Sequence, residues 1–495
     1  MLLIFPILLP MMVAIAMGFS RLNKQKANTA AIIGALVHVF ASGLLMVAIL
    51  DRQAIALWVG SWPAPAGICL VADYLSAVMV LITGVIHTAV IVYARKDIGS
   101  SQIQAGFYPF MQLLTAAICG AFLTGDLFNL YVWFEVMLMA SFGIMVMGHF
   151  PGRMTGTVKY VTMNLLSTLL LITAIGLIYG LTGTLNMADL HEKMALVENT
   201  ALVNSLALLL ITAFGIKSAL FPLFFWLPAS YHILPVPVSA FFAGMLTKVG
   251  VYAMIRLFTL VFAGDTSMTQ PTLMVLAVLT MVSGVVAAAS QMEIRRILSF
   301  HIISQVGYMV LGLSLFTPLA LAGTLVYLVH HIIVKANLFL VSGLIQKAAG
   351  SFDLKHIGSL YKTHGLLSAG FFIPAFSLAG FPPLSGFWAK LLIIYACLES
   401  RHYILGAVAA LVGLMTVFSM IKIWSEAFWK PLPGNDATLV AVKPLSAWMM
   451  APVLGLALIT ILIGLFMEPV CRVALVAGEQ LMNPVQYILA VKGGG

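Results

Sequence analysis

The sequence predicts an all-α, polytopic membrane protein, and three observations support this fold class. Hydrophobic residues make up 62% of the 495-residue chain, whereas charged residues make up only 8%. Apolar runs of about 18 residues or more, long enough to cross the ~30 Å hydrocarbon core of a bilayer as helices, recur from end to end. No segment is both long and polar enough to form a separate soluble domain.

These runs predict about fourteen transmembrane helices. The first seven lie near residues 2–20, 28–50, 74–94, 107–124, 127–148, 160–182 and 204–227. The other seven lie near residues 237–262, 272–290, 298–315, 321–346, 368–397, 404–425 and 446–468. The first run lacks a small-residue cleavage site, so we expect it to be retained as a helix.

The basic residues of the loops predict the orientation, because Lys and Arg in short loops are retained on the cytoplasmic side. One alternating set of loops carries fourteen of them: Arg21, Lys24, Lys26, Arg95, Lys96, Arg153, Lys159, Arg295, Arg296, Lys347, Lys355, Lys362, Lys430 and Lys443. The other set, with the C-terminal tail, carries five: Arg52, Lys193, Arg401, Arg472 and Lys492. Both termini are therefore predicted to face away from the cytoplasm. The net charge of +9 reflects this topology rather than nucleic-acid binding.

Six further basic residues fall within the predicted spans. Arg256 and Lys422 lie near span ends, where their side chains are expected to snorkel to the membrane surface. The other four are buried lysines: Lys217, Lys248, Lys335 and Lys390. A charge at such a depth costs several kcal/mol unless it is paired, hydrated or neutralised, so these lysines are candidates for a functional site.

Glu135 is the one acidic residue that lies well inside a predicted span; the other acidic residues fall in loops, in tails or at span edges. A lone buried carboxylate is expected to find a cationic partner, and the lysines are the obvious candidates. A purely structural ion pair is the alternative, but it would need one lysine rather than four.

Histidines extend this set of buried titratable residues. His330 and His331 are mid-span, and His331 precedes Lys335 by four residues, so the two share a helical face. His301 begins the preceding span. Adjacent helical residues point about 100° apart and no Cys, Asp or Glu lies nearby, so we expect a proton relay rather than a metal site. His38 and His87 lack charged neighbours and are expected to be hydrogen-bonded packing residues.

Prolines predict two broken helices. Pro222 and Pro228 interrupt the seventh span, and Pro382 and Pro383 interrupt the twelfth. Proline removes a helical hydrogen bond, and the freed carbonyls are tolerated in a membrane where the backbone lines a wet cavity. Broken helices near the midplane therefore indicate ion pathways.

The two breaks also suggest an internal repeat, because LFPL at 220–223 and GFPP at 380–383 lie 160 residues apart. Five-helix units at 107–262 and 272–425 would place them at corresponding positions, between peripheral helices at 1–106 and a last helix and tail at 426–495. A repeat with an odd number of helices must be inverted across the membrane. No cofactor or enzymatic activity is expected, since the GxGxxG, HExxH and P-loop motifs are missing.

Six motifs resemble one family. They are GDLFNLYVWFE, GIKSALFPLFFWLP, PVSAFFAGMLTKVGVYAMIR, LSFHIISQVGYMVLG, HHIIVKANLFLVSG and LAGFPPLSGFWAK, in this order over residues 107–425. Together they resemble the antiporter-like subunits shared by respiratory complex I and Mrp-type cation/proton antiporters, and GDLFNLYV most resembles the D-type subunits of Mrp antiporters. The resemblance implies fourteen helices with two inverted repeats, a bacterial cytoplasmic membrane and obligate partner subunits.

The resemblance also implies residue roles. Glu135 and Lys217 would form a charge pair whose opening changes the proton affinity of the lysine. Lys248 would pass protons through His331 and Lys335 to Lys390 near the exit, with His330, His301 and Gln305 as secondary candidates. Inward proton movement would drive sodium export, and with Glu135 assigned to the lysine pair we expect the sodium path to lie largely in another subunit. Two alternatives stay open: a proton-pumping subunit of a redox-driven complex such as complex I or a membrane-bound hydrogenase, and a structural scaffold.

Overall fold

The computed structural model describes residues 2–20, 22–65, 67–147, 152–264, 266–432 and 444–493. These residues are overwhelmingly helical, which confirms the all-α membrane fold class. Arg21 and Lys443, two of the basic residues that predict the orientation, lie outside the described residues.

The N-terminal part contains four helices: α1 (Phe5–Phe19), α2 (Lys24–Arg52), α3 (Tyr74–Asp97) and α4 (Ser100–Gln104). Between α2 and α3 lies a short antiparallel hairpin of β1 (Ile55–Trp58) and β2 (Cys69–Ala72), in which Ile55 pairs with Ala72.

The remaining helices follow in two blocks and a C-terminal segment. The first block consists of α5 (Phe107–Leu123), α6 (Leu127–Val146), α7 (Arg153–Thr182), α8 (Met187–Ala195), α9 (Thr200–Ser218), α10 (Trp226–Ser230) and α11 (Val236–Leu260). The second consists of α12 (Thr269–Ser290), α13 (Ile294–Leu315), α14 (Pro318–Ala349), α15 (Leu360–Thr363), α16 (Gly365–Ala379), α17 (Ser385–Glu399) and α18 (Tyr403–Trp424). The C-terminal segment contains α19 (Ala447–Leu465), α20 (Met467–Met482) and α21 (Val485–Gly493).

Twelve helices within the described residues are long and apolar enough to cross a membrane, and α5 and α16 are shorter apolar helices. The predicted count of fourteen spans therefore stays a prediction. The seventh predicted span does not run unbroken to residue 227, because α9 ends at Ser218. The twelfth is divided into α16 and α17 on either side of Pro382 and Pro383.

Three helices form the interior of the molecule. The most apolar 18-residue stretch of α11 is 100% buried, and those of α13 and α14 are 94% buried, whereas that of α2 is only 33% buried. Side chains all around α11, α13 and α14 are thus removed from the surface, while α2 exposes an apolar face. Lys248 lies on α11 and Lys335 on α14, so two of the predicted lysines lie on the innermost helices.

One local arrangement occurs twice. Asp126 caps the N-terminus of α6 and forms an antiparallel bridge with Asn186; Glu293 caps α13 and forms the same bridge with Asp353. A carboxylate at a helix N-terminus accepts hydrogen bonds from the free backbone N–H groups of the first turn. The members of the second bridge lie 167 residues after those of the first. The same bridge thus recurs at one fixed spacing, beside the caps of α6 and α13.

Candidate ion-translocation site

The predicted site residues lie on six helices: Glu135 on α6, Lys217 on α9, Lys248 on α11, His301 and Gln305 on α13, His330, His331 and Lys335 on α14, and Lys390 on α17. Each lysine, histidine and glutamine of this set is at most 6% exposed. Glu135 is partly buried. Distant parts of the sequence thus contribute to one set of buried polar side chains.

Glu135 and Lys217 are joined through a third residue. The Thr168 hydroxyl on α7 donates to Glu135 Oε1 at 2.7 Å, and Lys217 Nζ donates to Thr168 Oγ1 at 3.5 Å. No direct ion pair within 4.0 Å joins the carboxylate and the ammonium group in the described structure. The Lys217 ammonium lies over the Phe134 ring, 4.7 Å from its centroid. The pair is therefore held apart, and Thr168 is a link that sequence reasoning did not identify.

Helix α9 packs against α11 next to Lys217. The contact is made at Gly250, because a Cβ there would lie 3.1 Å from the Ser218 backbone nitrogen. The hydroxyls of Ser218 and Thr247 are both fully buried and have no hydrogen-bond partner among the described residues. Each lysine thus has a neighbour in sequence with an unsatisfied hydroxyl: Ser218 follows Lys217, and Thr247 precedes Lys248.

Lys248 is wholly buried, and its ammonium group donates to the Ala243 carbonyl at 2.5 Å. His331 on α14 lies within electrostatic range of both Lys248 and Lys335. Neither ring nitrogen of His331 has a hydrogen-bond partner in the described structure. This imidazole therefore connects two lysines without being fixed by a protein hydrogen bond.

Lys335 donates to the Leu298 carbonyl of α13 at 3.2 Å, which draws it towards His301. His301 interacts electrostatically with Lys335 and with Lys390, and both of its ring nitrogens lack partners among the described side chains. His301 therefore lies within electrostatic range of both lysines of the second block.

Gln305 and His330 complete the surroundings of His301. Tyr327 donates its hydroxyl hydrogen to Gln305 Oε1 at 2.5 Å, and Gln305 Nε2 has no partner in the part of the chain that the structure describes. His330 Nδ1 lies 2.9 Å from the Ser385 hydroxyl at the start of α17. Both secondary candidates are thus oriented by a hydroxyl and retain one free nitrogen, and sequence reasoning did not identify Tyr327 or Ser385.

Lys390 contacts the backbone at the second helix break, between α16 and α17. Its ammonium donates at 2.9 Å to the carbonyl of Ala379, the last residue of α16, and lies 5.7 Å from the centroid of the Tyr308 ring. Gly380, with φ of 97°, turns the chain at this point, and a Cβ on it would lie 3.0 Å from Lys390 Cδ. A carbonyl freed by the break therefore serves as the acceptor for a buried ammonium group, as expected for a break that lines an ion path.

The first break is centred on Pro222 alone. After α9 ends, Ala219 adopts φ of 61°, and the Trp226 indole donates to the Ile216 carbonyl at 3.0 Å. Pro228, expected to interrupt the helix, instead lies in the first turn of the short helix α10. A first-turn residue has no intrahelical partner for its N–H, so proline is tolerated there.

We call the series of buried residues from Glu135 through Lys217, Lys248, His331, Lys335 and His301 to Lys390 the row. Buried polar atoms without a protein partner lie along most of it. Ser218, Thr247, His301, Gln305 and His331 each contribute at least one buried atom without a protein partner among the described residues. Each such atom costs about 1–3 kcal/mol if it is left dry, and buried water normally supplies the missing hydrogen bonds. Lysines and imidazoles linked by water can exchange protons, so the arrangement is suited to proton transfer.

Arg256 does not snorkel, and that prediction was wrong. It is only 4% exposed, and its guanidinium donates to both carboxylate oxygens of Asp73 at 2.6 and 2.8 Å. Burial alone would raise the pKa of Asp73, but Arg256 and the N–H and hydroxyl of Ser76 hold it below its usual range. In the sequence Asp73 lies at a span edge, and its partner is 183 residues away. Lys422 is only partly buried and donates to the carbonyls of Ala289 and Gln291 at the end of α12, so for this residue snorkelling stays a prediction.

Comparison with known sequences identifies relatives along the whole chain. The D-type subunit of the Na+/H+ antiporter of Alkalihalophilus pseudofirmus is 43% identical over 495 residues, covering 99% of both proteins. The corresponding Na+/H+ antiporter protein of Bacillus subtilis is 35% identical over 493 residues, covering 99% of this chain and 98% of that one.

Solved structures agree. A chain of the Mrp complex from Dietzia sp. superimposes with a TM-score of 0.91 at 31% identity, covering 99% of both chains. A chain of an archaeal membrane-bound sulfane sulfur reductase superimposes with a TM-score of 0.90 at 24% identity, covering 99% of both chains, which shows a shared fold alone. The family model described as NADH:quinone oxidoreductase/Mrp antiporter, transmembrane, matches residues 124–418. The chain therefore belongs to the NADH:quinone oxidoreductase/Mrp antiporter family, among the relatives of the D-type Na+/H+ antiporter subunits.

Proposed function

We propose that this chain is the proton-translocating subunit of a multisubunit sodium/proton antiporter. The observation that carries the proposal is the buried row from Glu135 to Lys390, in which every lysine is withdrawn from the surface and adjoins a hydroxyl, a carbonyl or an imidazole. A structural role alone would require paired charges. Lys248, Lys335 and Lys390 form no ion pair among the described residues.

The first step of the mechanism takes place at Thr168. When Glu135 moves towards Lys217, the carboxylate stabilises the ammonium form and holds the proton. When the carboxylate retreats to the Thr168 hydroxyl, Lys217 loses this stabilisation and releases its proton towards Lys248. Thr168 thereby provides the carboxylate with an alternative partner, so that the pair can open without leaving Glu135 unsatisfied.

Proton transfer along the rest of the row follows from the alternation of lysine and histidine side chains. His331 takes a proton from Lys248 and passes it to Lys335, since its free ring nitrogens allow one to accept while the other donates. His301, with Gln305 orienting water, then connects Lys335 to Lys390. The proton motive force supplies about 2.3 kcal/mol per charge for each 100 mV, which exceeds the cost of a tenfold change in proton affinity.

Sodium is proposed to move largely outside this chain. The row has one carboxylate, Glu135, and it is already engaged by Thr168. Oxygen-rich groups of carboxylates and carbonyls are what hard cations require. We therefore place this chain in a hetero-oligomer with other antiporter subunits. Most of the sodium path would lie in those other subunits.

The proposal also covers the internal repeats, the number of spans and the orientation of the chain in the membrane. The bridges of Asp126 with Asn186 and of Glu293 with Asp353 support two five-helix repeats, at 107–262 and 272–425, within a chain of fourteen spans. The basic loops support both termini on the outer side of a bacterial cytoplasmic membrane. Single cysteines can be introduced at the two termini of the protein, and their accessibility to reagents outside intact cells would test this orientation.

The function is tested by sodium-dependent proton flux in inverted membrane vesicles that contain the whole complex. We expect Lys217→Ala and Lys390→Ala to abolish flux while the complex still assembles. Lys422→Ala is the matched control, since this lysine caps the end of α12 and lies off the row. Native flux in both row variants would overturn the proposal, and loss of assembly in both would favour a scaffold.

A redox-driven complex is the second candidate, because the family includes such proteins and the fold is shared with a respiratory complex. Neighbouring genes separate the two, since a redox complex requires quinone, flavin or iron–sulfur subunits. The D-type antiporter relatives favour the antiporter.

A further inference from the structure

A second group of buried polar side chains lies away from the row, among the N-terminal helices. His38 on α2, His87 on α3 and Gln112 on α5 are each 0% exposed. Both ring nitrogens of His87 and both amide atoms of Gln112 have no hydrogen-bond partner among the described residues. His38 and His87 were expected to be hydrogen-bonded packing residues, and for His87 this is wrong.

These side chains converge on one place. The His38 and His87 rings meet edge to face with centroids 5.9 Å apart. Gln112 faces the same part of α2, since a Cβ on Gly34 would lie 3.3 Å from Gln112 Nε2. Further along α5, Cys119 Sγ lies 3.5 Å from His38 Nε2. Three helices thus supply polar atoms to a single buried cluster.

A proline inside α1 leaves one backbone carbonyl free as an acceptor. Pro10 lies inside α1 and has no N–H to donate to the carbonyl four residues earlier, which is that of Pro6. The freed Pro6 carbonyl lies close to the His38 imidazole, although His38 Nδ1 has no hydrogen-bond partner within the described residues. The cluster therefore has the same combination as the end of the row, where a freed carbonyl faces a buried titratable side chain.

The cluster adjoins the row at α11. The His87 ring packs against Phe241 of α11, with centroids 6.1 Å apart. Ile86, its neighbour on α3, lies opposite Gly244, where a Cβ would contact Ile86 Cγ2 at 3.6 Å. The Lys248 side chain folds back so that its Nζ donates to the Ala243 carbonyl at 2.5 Å. Ala243 lies next to Gly244 and within two residues of Phe241 on α11. The cluster and the Lys248 ammonium group therefore contact the same stretch of α11.

The chemistry of the cluster favours water as its occupant. The four unsatisfied atoms of His87 and Gln112, left dry, would cost about 1–3 kcal/mol each, and buried water with two to four polar partners removes that cost. A metal is disfavoured, because no group of three or more His, Cys, Asp or Glu in the described structure could hold one. Hard cations are disfavoured because imidazole nitrogens, not oxygens, predominate.

We propose that His38, His87 and Gln112 hold a buried water cluster that forms a side branch of the proton row at Lys248. Its waters and imidazoles relay protons to and from Lys248, so that the lysine exchanges its proton in a second direction besides His331. This inference rests on the proposed function, since it assigns a partner to a lysine of the row.

Hydroxyl-radical labelling of the intact complex, generated by X-ray radiolysis, tests for the water, because radicals formed from buried waters modify the side chains that touch them. We expect labelling of His38, His87 or Cys119 in the native complex and its loss in Gln112→Leu. Thr115→Val is the control: Thr115 lies on the same helix, but its hydroxyl bonds the Met111 carbonyl at 2.9 Å. Labelling of His331 without labelling of the cluster would overturn the proposal.

Flux in the same membranes tests the role. We expect His87→Phe to reduce sodium-dependent proton flux severalfold with assembly unchanged, and Thr115→Val to leave it at the native level. Native flux in His87→Phe overturns the branch even if water is present. If Lys217→Ala also retains flux, the proposed function itself fails; if Lys217→Ala abolishes flux, only the branch fails.

Discussion

Replacement of Thr168 by valine is the sharpest perturbation of the proposed charge pair, because it removes a hydroxyl and keeps the shape of the side chain. That hydroxyl donates to Glu135 at 2.7 Å and accepts from Lys217 at 3.5 Å. A hydrogen bond to a charged group contributes about 1.5–3 kcal/mol. Glu135 is partly buried rather than fully enclosed, so the lower end of this range applies.

A loss of about 1.4 kcal/mol in the rate-limiting arrangement lowers a rate tenfold, so we expect Thr168→Val to reduce sodium-dependent proton flux about tenfold. Thr168→Ser, which restores the hydroxyl, should recover most of the flux. Thr173→Val is the matched control on the same helix, since Thr173 is exposed and its hydroxyl bonds the Leu169 carbonyl at 2.7 Å. Native flux in Thr168→Val, with the complex assembled, would refute the bridging role.

Two further predictions concern stability and the second helix break. Asp73→Asn leaves Arg256 buried without its counter-charge, so we expect a loss of about 3–5 kcal/mol and a lower unfolding temperature of the solubilised complex; an unchanged unfolding temperature would contradict it. Because the folded-state pKa of Asp73 is below its usual range, its contribution to the native chain is full above the usual carboxyl pKa and is lost as pH falls through the lowered value. A melting series across this acidic range, compared with Asp73→Asn, measures the contribution directly. Gly380→Ala and Gly350→Ala both impose a positive φ on alanine, at about 1–2 kcal/mol each, but only the former crowds Lys390. We expect flux to fall in Gly380→Ala alone, and equal flux in the two variants would show that contact with Lys390 is immaterial.

The sequence was sufficient to predict the fold class and the burial of the four lysines, and the reason is physical. A lysine in an apolar span is costly in a membrane, so its presence in the sequence is informative by itself. Thr168 carries no such signal, because a threonine can satisfy its hydroxyl within its own helix, as Thr173 does. Its role depends on α6 and α9 packing against α7, which no local pattern encodes.

Arg256 illustrates the converse error. Near a span end, an arginine can reach water, and the sequence offers no sign of a partner 183 residues away. The pair exists because the cap of α3 meets the end of α11, a tertiary contact. The missing hydrogen bonds of His87 went unpredicted for a similar reason: without a charged neighbour in sequence it resembles a packing residue, whereas its environment is assembled from α2 and α11.

The central claim is that the buried residues conduct protons in series, and proton flux through a row interrupted at its middle tests it most directly. We would measure sodium-dependent proton flux and assembly for His331→Phe and Lys335→Met beside Lys217→Ala. A series pathway predicts that each interruption abolishes flux to the same extent, wherever it lies. Flux that is lost in Lys217→Ala but retained in both central variants would contradict the account.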